Sequence, residues 1–382
     1  MIEIGIELVT SHSYGRLFAE GFASHAARFG NWRLRPISAE NLTPQVLAKL
    51  DGAVARILDD ATERIIQRVG IPFVDIYCAH TIPGLAQVTT DNDRIGRLAA
   101  EFFLSKGFEN YGWYGLKDVI FSDERRQAFT AFLRQHGKTP SAYTCSPGSA
   151  KGISSDRPSH VPNARQLGQW LKKLPKPIAI FCCNDLLAYH LAQVATGIGL
   201  NIPKDISILG SDNDTLLCSF APIAISSVNV EASRVGHAAA TILHAILNNP
   251  PQDRPHKPFL VQPRGIVERE STSFSPIGPP WFSDLLNKIE TGIAEGISTA
   301  DAVAFSGFSS THVERLFYAK LGKSVQSYIT DLRMRKATAL LQTSDLSVKE
   351  IAFACGYRSS QYFCRAFKAY YGKSPKSSVS PQ

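Results

Sequence analysis

Residues 347–374, SVKEIAFACGYRSSQYFCRAFKAYYGKS, and residues 298–324, STADAVAFSGFSSTHVERLFYAKLGKS, are two copies of one pattern, and its reading decides the C-terminal fold. The copies align with one extra residue in the turn of the second. Each opens on a helix-start signal, an S-x-x-E capping box at Ser347 and Glu350 and a weaker S-x-x-D version at Ser298 and Asp301. A short helix then ends at Gly356 or Gly307, where glycine can turn left-handed. Ser359 or Ser360 in one copy, and Ser309 or Ser310 in the other, can cap a second helix. Caps and breakers alone therefore predict helix–turn–helix units.

The second helix of each copy has two faces. Phe363, Ala366, Phe367 and Tyr370 share the inward side of the later copy, while Gln361, Arg365 and Lys368 recur on the opposite side. In the earlier copy Val313, Leu316 and Phe317 point inward, and Thr311, Arg315 and Tyr318 outward. One such helix is an ordinary amphipathic surface element. Two with matching outward arginines point to major-groove reading, since Arg pairs bidentately with guanine and Gln with adenine. Charge agrees: of a net +8, residues 331–382 hold nine basic side chains against three acidic ones. That is the footprint of a polyanion partner. The twice-occurring Gly-Lys-Ser is no phosphate loop. Such a loop needs a glycine five positions earlier, where Phe317 and Phe367 stand.

The segment LRMRKATALLQTSDLSVKEIAFACGYRSSQYFCRAFKAYYGKSP, with its Ile-Ala, Gly-Tyr, Tyr-Phe, Phe-Lys and Gly-x-Ser-Pro steps, resembles the DNA-binding domain of the AraC/XylS family of bacterial regulators. The resemblance implies two helix–turn–helix units joined by one helix near residues 325–341, entering successive major-groove segments. It maps base contacts onto Thr311, Glu314 and Arg315 in the first unit. In the second unit it maps them onto Ser360, Gln361, Tyr362 and Arg365, with Lys368 on the same outer face. Glu314 departs from a phosphate-friendly pattern unless its carboxylate accepts from cytosine.

The first 270 residues read differently. β-rich runs at 2–8, 52–58, 72–77, 111–115, 178–183 and 206–210 alternate with helical periodicity, as in Phe18, Phe22, His25 and Phe29. Alternation over this length predicts parallel sheets covered by helices on both faces. Ser-, Pro- and Gly-rich composition predicts a surface loop at 141–162 and an inter-domain linker at 271–280. From 281 to 376 the pattern is all-helical.

Four stretches in order, QVTTDNDRIGRLAAEFFLSKGF, FCCNDLLAYHLA, IPKDISILGSDND and ISSVNVEASRVGHAAATILHAIL, resemble the type I periplasmic-binding-protein fold used as the sensor of LacI/GalR regulators. The implied fold is a two-lobed α/β sensor followed by an all-α domain of two helix–turn–helix units. The sensor would span 1–270, with lobes about 1–110 plus 226–254 and 111–225 plus 258–270. The linker is then 271–280 and the DNA-binding domain 281–382. Ligand is expected in the cleft at the carboxyl ends of the strands. Asp91, Arg125, Asn184 and Asp212 match ligand-contacting positions of sugar-responsive relatives, with Ser13 and Tyr14 closing the cleft. A pyranose suits carboxylates, an amide and a guanidinium around its hydroxyls, and an aromatic such as Tyr14 or Trp113 over its apolar face. Each also has a plain reading: Asp91 and Asn184 as helix caps, Asp212 as a turn residue, Arg125 as a partner of Glu124.

This order of domains resembles the XylR-type regulators of xylose operons. It implies a transcriptional activator responding to D-xylose or a related monosaccharide, acting as a homodimer on operator DNA and meeting RNA polymerase. Alternatives are a front domain that serves only dimerisation, or that binds a non-sugar small molecule. An enzyme would need a nucleophile and base, but Cys182 and Cys183 are neighbours on a strand and face opposite ways from each other, so no dyad with His190 follows. The expectation is no catalytic residue, no cofactor and no metal: seven cysteines show no ligand spacing. MIEIGIELVT starts directly as a strand, and no apolar run nears the roughly 18 residues of a membrane span. Together with the reduced thiols this predicts a cytoplasmic protein with no membrane partner.

Overall fold

The computed structural model describes residues 1–146, 163–248, 257–344 and 346–375. The chain divides into two compact units: Met1–Leu104 with Glu109–Ser271, and Ser105–Phe108 with the chain from Thr272 onward.

The first unit contains two six-stranded sheets. The first sheet is built from β1 (Ile2–Glu7), β2 (Trp32–Ile37), β3 (Gly52–Ala55), β4 (Phe73–Asp75) and β5 (Ala86–Thr90). The second contains β6 (Asn110–Leu116), β7 (Ser141–Cys145), β8 (Ile178–Cys182), β9 (Ile206–Ser211) and β10 (Ser226–Asn229). Late strands β11 (Phe259–Val261) and β12 (Gly265–Val267) complete one sheet each. The orders are β11-β5-β4-β3-β1-β2 and β12-β10-β9-β8-β6-β7. β10 and β12 pair antiparallel. The other pairs are parallel, for example β1 with β2 and β8 with β9.

Covering helices follow the strands: α1 (Ser13–Ala26), α2 (Pro44–Leu47), α3 (Asp60–Val69), α4 (Asn92–Ser105), α5 (Ile120–Gln135), α6 (Ala164–Lys173), α7 (Asp185–Gly197), α8 (Thr215–Phe220) and α9 (Ala232–Asn248). Central strand β8 is buried at every residue, because helices shield both of its faces. Edge strand β2 carries Arg33, Arg35 and Pro36, residues that discourage further pairing. Phe18 and Phe22 of α1 insert fully into the first lobe's core, each burial worth about 1.5–3 kcal/mol. A β-carbon on Gly236 would lie 2.1 Å from the Phe18 carbonyl oxygen, so glycine is what lets α1 and α9 touch.

Two expectations need correction. Residues 141–145 are strand β7, paired with β6, rather than loop; residues 147–162 lie outside those described. β10 pairs with β9 and β11 with β5, so the chain changes lobe after 229 and again after 261, not at 226 and 258. The two units part between Ser271 and Thr272, at the start of the stretch expected as a linker, 271–280. The Ser271 hydroxyl donates to the Ile208 carbonyl at 2.6 Å, and Ser275 is buried. Serines whose hydroxyls bond to backbone carbonyls can pack like small apolar residues, which composition does not reveal.

The second unit is helical: α10 (Pro280–Thr291), α11 (Thr299–Ser306), α12 (Ser310–Leu321), α13 (Val325–Thr343), α14 (Val348–Ala354) and α15 (Ser360–Tyr371). Both capping boxes form, at Ser298 with Asp301 and Ser347 with Glu350. Ser309 caps α12 and Ser359 caps α15, each worth about 1 kcal/mol. One core gathers Phe282, Leu285, Ile289, Val313, Phe317 and Ile329. The other gathers Met334, Ala337, Ile351, Tyr357, Phe363 and Phe367. Tyr370 is an exception to the predicted inward face, being 45% exposed. Its hydroxyl donates instead to Asp331 at 3.0 Å.

Candidate functional site

Parallel strands end on the same side of each sheet, and the polar residues at those ends meet in one cavity of about 150 Å³. Glu7 lies at the end of β1 and Thr89 and Thr90 at the end of β5; Asn184 follows β8 and Asp212 follows β9. Tyr14, Phe18, Tyr77 and Phe121 supply aromatic wall, and Arg56, Asn92 and Arg125 supply further polar groups.

Arg125 is the hub. Only 3% exposed, it donates from Nε to Asn92 Oδ1 at 2.9 Å and from Nη1 to the Cys183 carbonyl at 2.6 Å. Its Nη1 also stands 3.5 Å from the Asp212 carboxylate, and the guanidinium lies 5.0 Å from the Phe121 ring centre. Asn92 in turn donates to Glu124 at 2.8 Å. These contacts bridge α4 of the first lobe to α5 of the second.

Asp212 is aimed into the cavity by an unusual backbone, with φ of 110° at Asp212 and 53° at Asn213. Its amide donates to the Val228 carbonyl at 3.0 Å, that of Asn213 to Ser227 Oγ at 2.9 Å, and that of Asp214 to Asp185 Oδ2 at 2.7 Å. Such over-determination holds a strained turn at the cavity wall. Burial pushes the Asp212 carboxyl up to about 6, against the pull of Arg125. Burial, with repulsion from Asp212, pushes Asp185 up to about 8, opposed by the Ser227 hydroxyl. Burial and the nearby Asp212 carboxylate likewise raise the Tyr14 phenol.

Of the six residues predicted for this site, Tyr14, Arg125, Asn184 and Asp212 line the cavity and Ser13 and Asp91 do not. Asp91 takes its plain role. Its carboxylate accepts the Arg94 amide at 2.8 Å and the Gln262 side chain at 2.7 Å. Ser13 is the buried first residue of α1. Asn184 both caps α7, accepting from the Leu187 amide at 3.0 Å, and lines the cavity, so its Nδ2 is what a ligand can use. Trp113 is a core residue against Phe181 and Phe129. Sequence reasoning missed Glu7 and Arg56, a part-buried pair with Arg56 Nε 2.9 Å from Glu7 Oε1. It also missed Tyr77, Asn92 and Phe121. The signal for Glu7 was a charged residue ending an apolar strand.

On the helical unit, Thr311 and Arg315 of α12 are exposed, as are Gln361, Tyr362, Arg365 and Lys368 of α15, while Ser360 is half-buried. Arg365 reaches over the Tyr362 ring, 6.0 Å from its centre. Arg315 Nη2 lies 3.3 Å from His312 Nδ1. Glu314 is half-buried and its carboxylate accepts the Val325 amide at 3.3 Å, which ties α12 to the start of α13 rather than presenting a free acceptor outward.

The thiols of Cys182 and Cys183 are raised by burial, Cys183 to about 12, so neither supplies a thiolate at neutral pH. All seven cysteines are free. Among the described residues no His/Cys/Asp/Glu cluster could hold a metal, and no helix is long and apolar enough to cross a membrane.

Comparison with known proteins matches residues 100–272 to the periplasmic binding protein-like domain and residues 303–378 to a helix-turn-helix domain. The xylose operon regulatory protein of Escherichia coli K12 is 27% identical over 333 residues, covering 85% of this chain and 83% of that protein. The protein of the same name from Haemophilus influenzae is 27% identical over 334 residues, covering 86% and 84%. Among solved structures, that of the xylose-binding transcription activator xylR superposes with a TM-score of 0.62 at 25% identity, over 99% of this chain and 97% of that one. A ribose-bound LacI-family regulator from Enterococcus faecium shares the sensor fold at TM-score 0.58 and 18% identity, covering 71% of this chain and 98% of that one.

Proposed function

We infer that this chain, a XylR-like regulator joining a periplasmic-binding-protein-like sensor to an AraC-type helix-turn-helix domain, activates transcription when a free monosaccharide occupies the sensor cavity. A DNA-binding, sugar-responsive regulator is the coarse statement the relatives support. The finer reading names D-xylose as effector, a homodimer as the acting species, RNA polymerase as a further partner and the bacterial cytoplasm as the place. Nothing in this reading calls for catalysis.

The observation that carries it is the cavity. Its two arginines already face carboxylates, Arg56 against Glu7 and Arg125 against Asp212, so the lining is close to neutral. A neutral polyol can exchange hydrogen bonds with Arg125, Asn92, Asn184 and Asp212 without bringing a charge of its own. Tyr14, Tyr77 and Phe121 can cover apolar ring faces. On the helical unit, Arg315 and Arg365 are the outward arginines that would read bases, with Thr311, Gln361 and Tyr362 beside them.

The test is thermal unfolding of the full chain against a panel of pentoses and hexoses. At one hundred times its dissociation constant, the true effector stabilises the protein by about 2.7 kcal/mol. The expected ranking puts D-xylose first. A panel that shifts nothing would leave the sensor without a sugar, and dimerisation as the role of the front domain.

A further inference from the structure

The second unit holds two separate cores that share one helix. Val325, Tyr328, Ile329 and Leu332 of α13 belong to the first core, and Met334, Ala337 and Leu341 to the second. Arg333 stands at the changeover. Its Nη2 donates to the Ile297 carbonyl at 3.0 Å, just ahead of α11 in the first helix–turn–helix unit. The same guanidinium covers the ring of Tyr357, 5.1 Å from its centre, in the turn of the second unit. Its Nε is buried and has no hydrogen-bond partner among the described residues.

A second contact lies on the same seam. Gly356, the turn glycine of the second unit, has φ of 73°. A β-carbon there would lie 2.0 Å from the Ile293 carbonyl and 2.9 Å from the Gly296 α-carbon. Backbone therefore meets backbone at this point, between the second helix–turn–helix and the segment that leads into the first. The Arg333 contacts and this seam join the two cores in addition to α13 itself.

We propose that Arg333, with the Gly356 seam, is a positioning residue that fixes the distance and angle between reading helices α12 and α15, and so makes the protein selective for the spacing of its two DNA segments. This rests on the DNA-reading assignment. The physics is direct: one base pair shifts a segment by about 3.4 Å and turns it by about 35° around the duplex axis. A rigid pair of helices cannot follow that shift without losing contacts, whereas a hinged pair can. Arginine suits the position because one planar group can hydrogen-bond a carbonyl at its end while stacking on a ring.

The experiment uses the full chain and a DNA site that the wild-type protein selects from a random-sequence library. The site is rebuilt with one base pair inserted or deleted between its two protected segments. Wild type is expected to bind either shifted site at least about tenfold more weakly, the size of one lost base contact. Arg333→Met should bind the original site about tenfold more weakly. It should then lose less than about threefold more on the shifted ones. Tyr357→Leu, which keeps an apolar plug in the second core but removes the ring, should behave alike and serves if the first variant fails to fold. A general loss of fold weakens all sites in proportion and leaves the spacing penalty untouched. The proposal is overturned if both variants keep the wild-type penalty, or if wild type itself tolerates the shifts. A wild-type chain that enriches no sequence sinks the DNA-reading assignment, and the proposal with it.

Discussion

At the scale of single residues, the sensor concentrates its unusual chemistry in buried carboxylates behind and within the cavity. Asp185 is out of contact with water, and burial lifts its carboxyl from the ordinary 3.8 to about 8. The folded chain therefore holds this proton more tightly than the unfolded chain does. The resulting stabilisation is full below pH 3.8, declines as pH rises, and is lost above about 8. Asp185→Asn keeps an acceptor for Ser227 or the Asp214 amide but cannot ionise. Unfolding free energies from urea titrations should fall between pH 5 and 8 for the wild type by more than for the variant, a difference on the order of a few kcal/mol. Equal slopes would show that Asp185 does not change its charge over that range. None of this was legible beforehand, because burial is a tertiary property. Asp212 and Arg125 were legible as members of a motif, whereas Glu7 and Arg56 become partners only when β1 and β3 lie side by side.

At the scale of elements, the two reading helices are similar in frame and different in charge. α15 presents Gln361, Tyr362, Arg365 and Lys368, whereas Glu314 of α12 is occupied at the start of α13. Arg365→Ala should weaken binding to the selected site by about 1–3 kcal/mol and leave binding to random DNA nearly unchanged. An equal loss on both would assign Arg365 to phosphate. The C-terminal elements could be read in advance because their determinants are local: a serine, a carboxylate three residues on, a glycine at the end. Strands were harder. β8 and β9 announced themselves as apolar runs, but β7 carries Ser141 and Thr144, and β10 carries Ser226 and Ser227. β7 reads as part of a Ser-rich loop, and β10 does not stand out as an apolar run. Their place is given by partner strands far along the chain, which no local pattern records.

At the scale of the molecule, closure of the two lobes on a ligand is the expected switch. Arg125 to Asn92 and Asn92 to Glu124 join the lobes beside the cavity, and Arg16 of the first lobe stands 3.8 Å from Asp214 of the second. A ligand that moves such an equilibrium from mostly open to mostly closed must favour the closed form by about 5.5 kcal/mol. Small-angle scattering with and without the effector identified by thermal shift should then differ. Superimposable curves would argue that the sugar acts without rearranging the chain.

The late strand β11 bears on how the protein is made. β5 receives its last neighbour from residues 259–261, long after the second sheet's first strands have been synthesised. A ribosome that has delivered the whole first lobe by sequence has not delivered it in substance. Until β11 emerges, β5 offers an open edge to any passing strand, the kind of edge that seeds aggregation. The helical unit is synthesised after the strand that closes this edge. A chain cut short before β11 therefore has no finished sensor and no DNA-reading unit either, so premature termination silences both functions together.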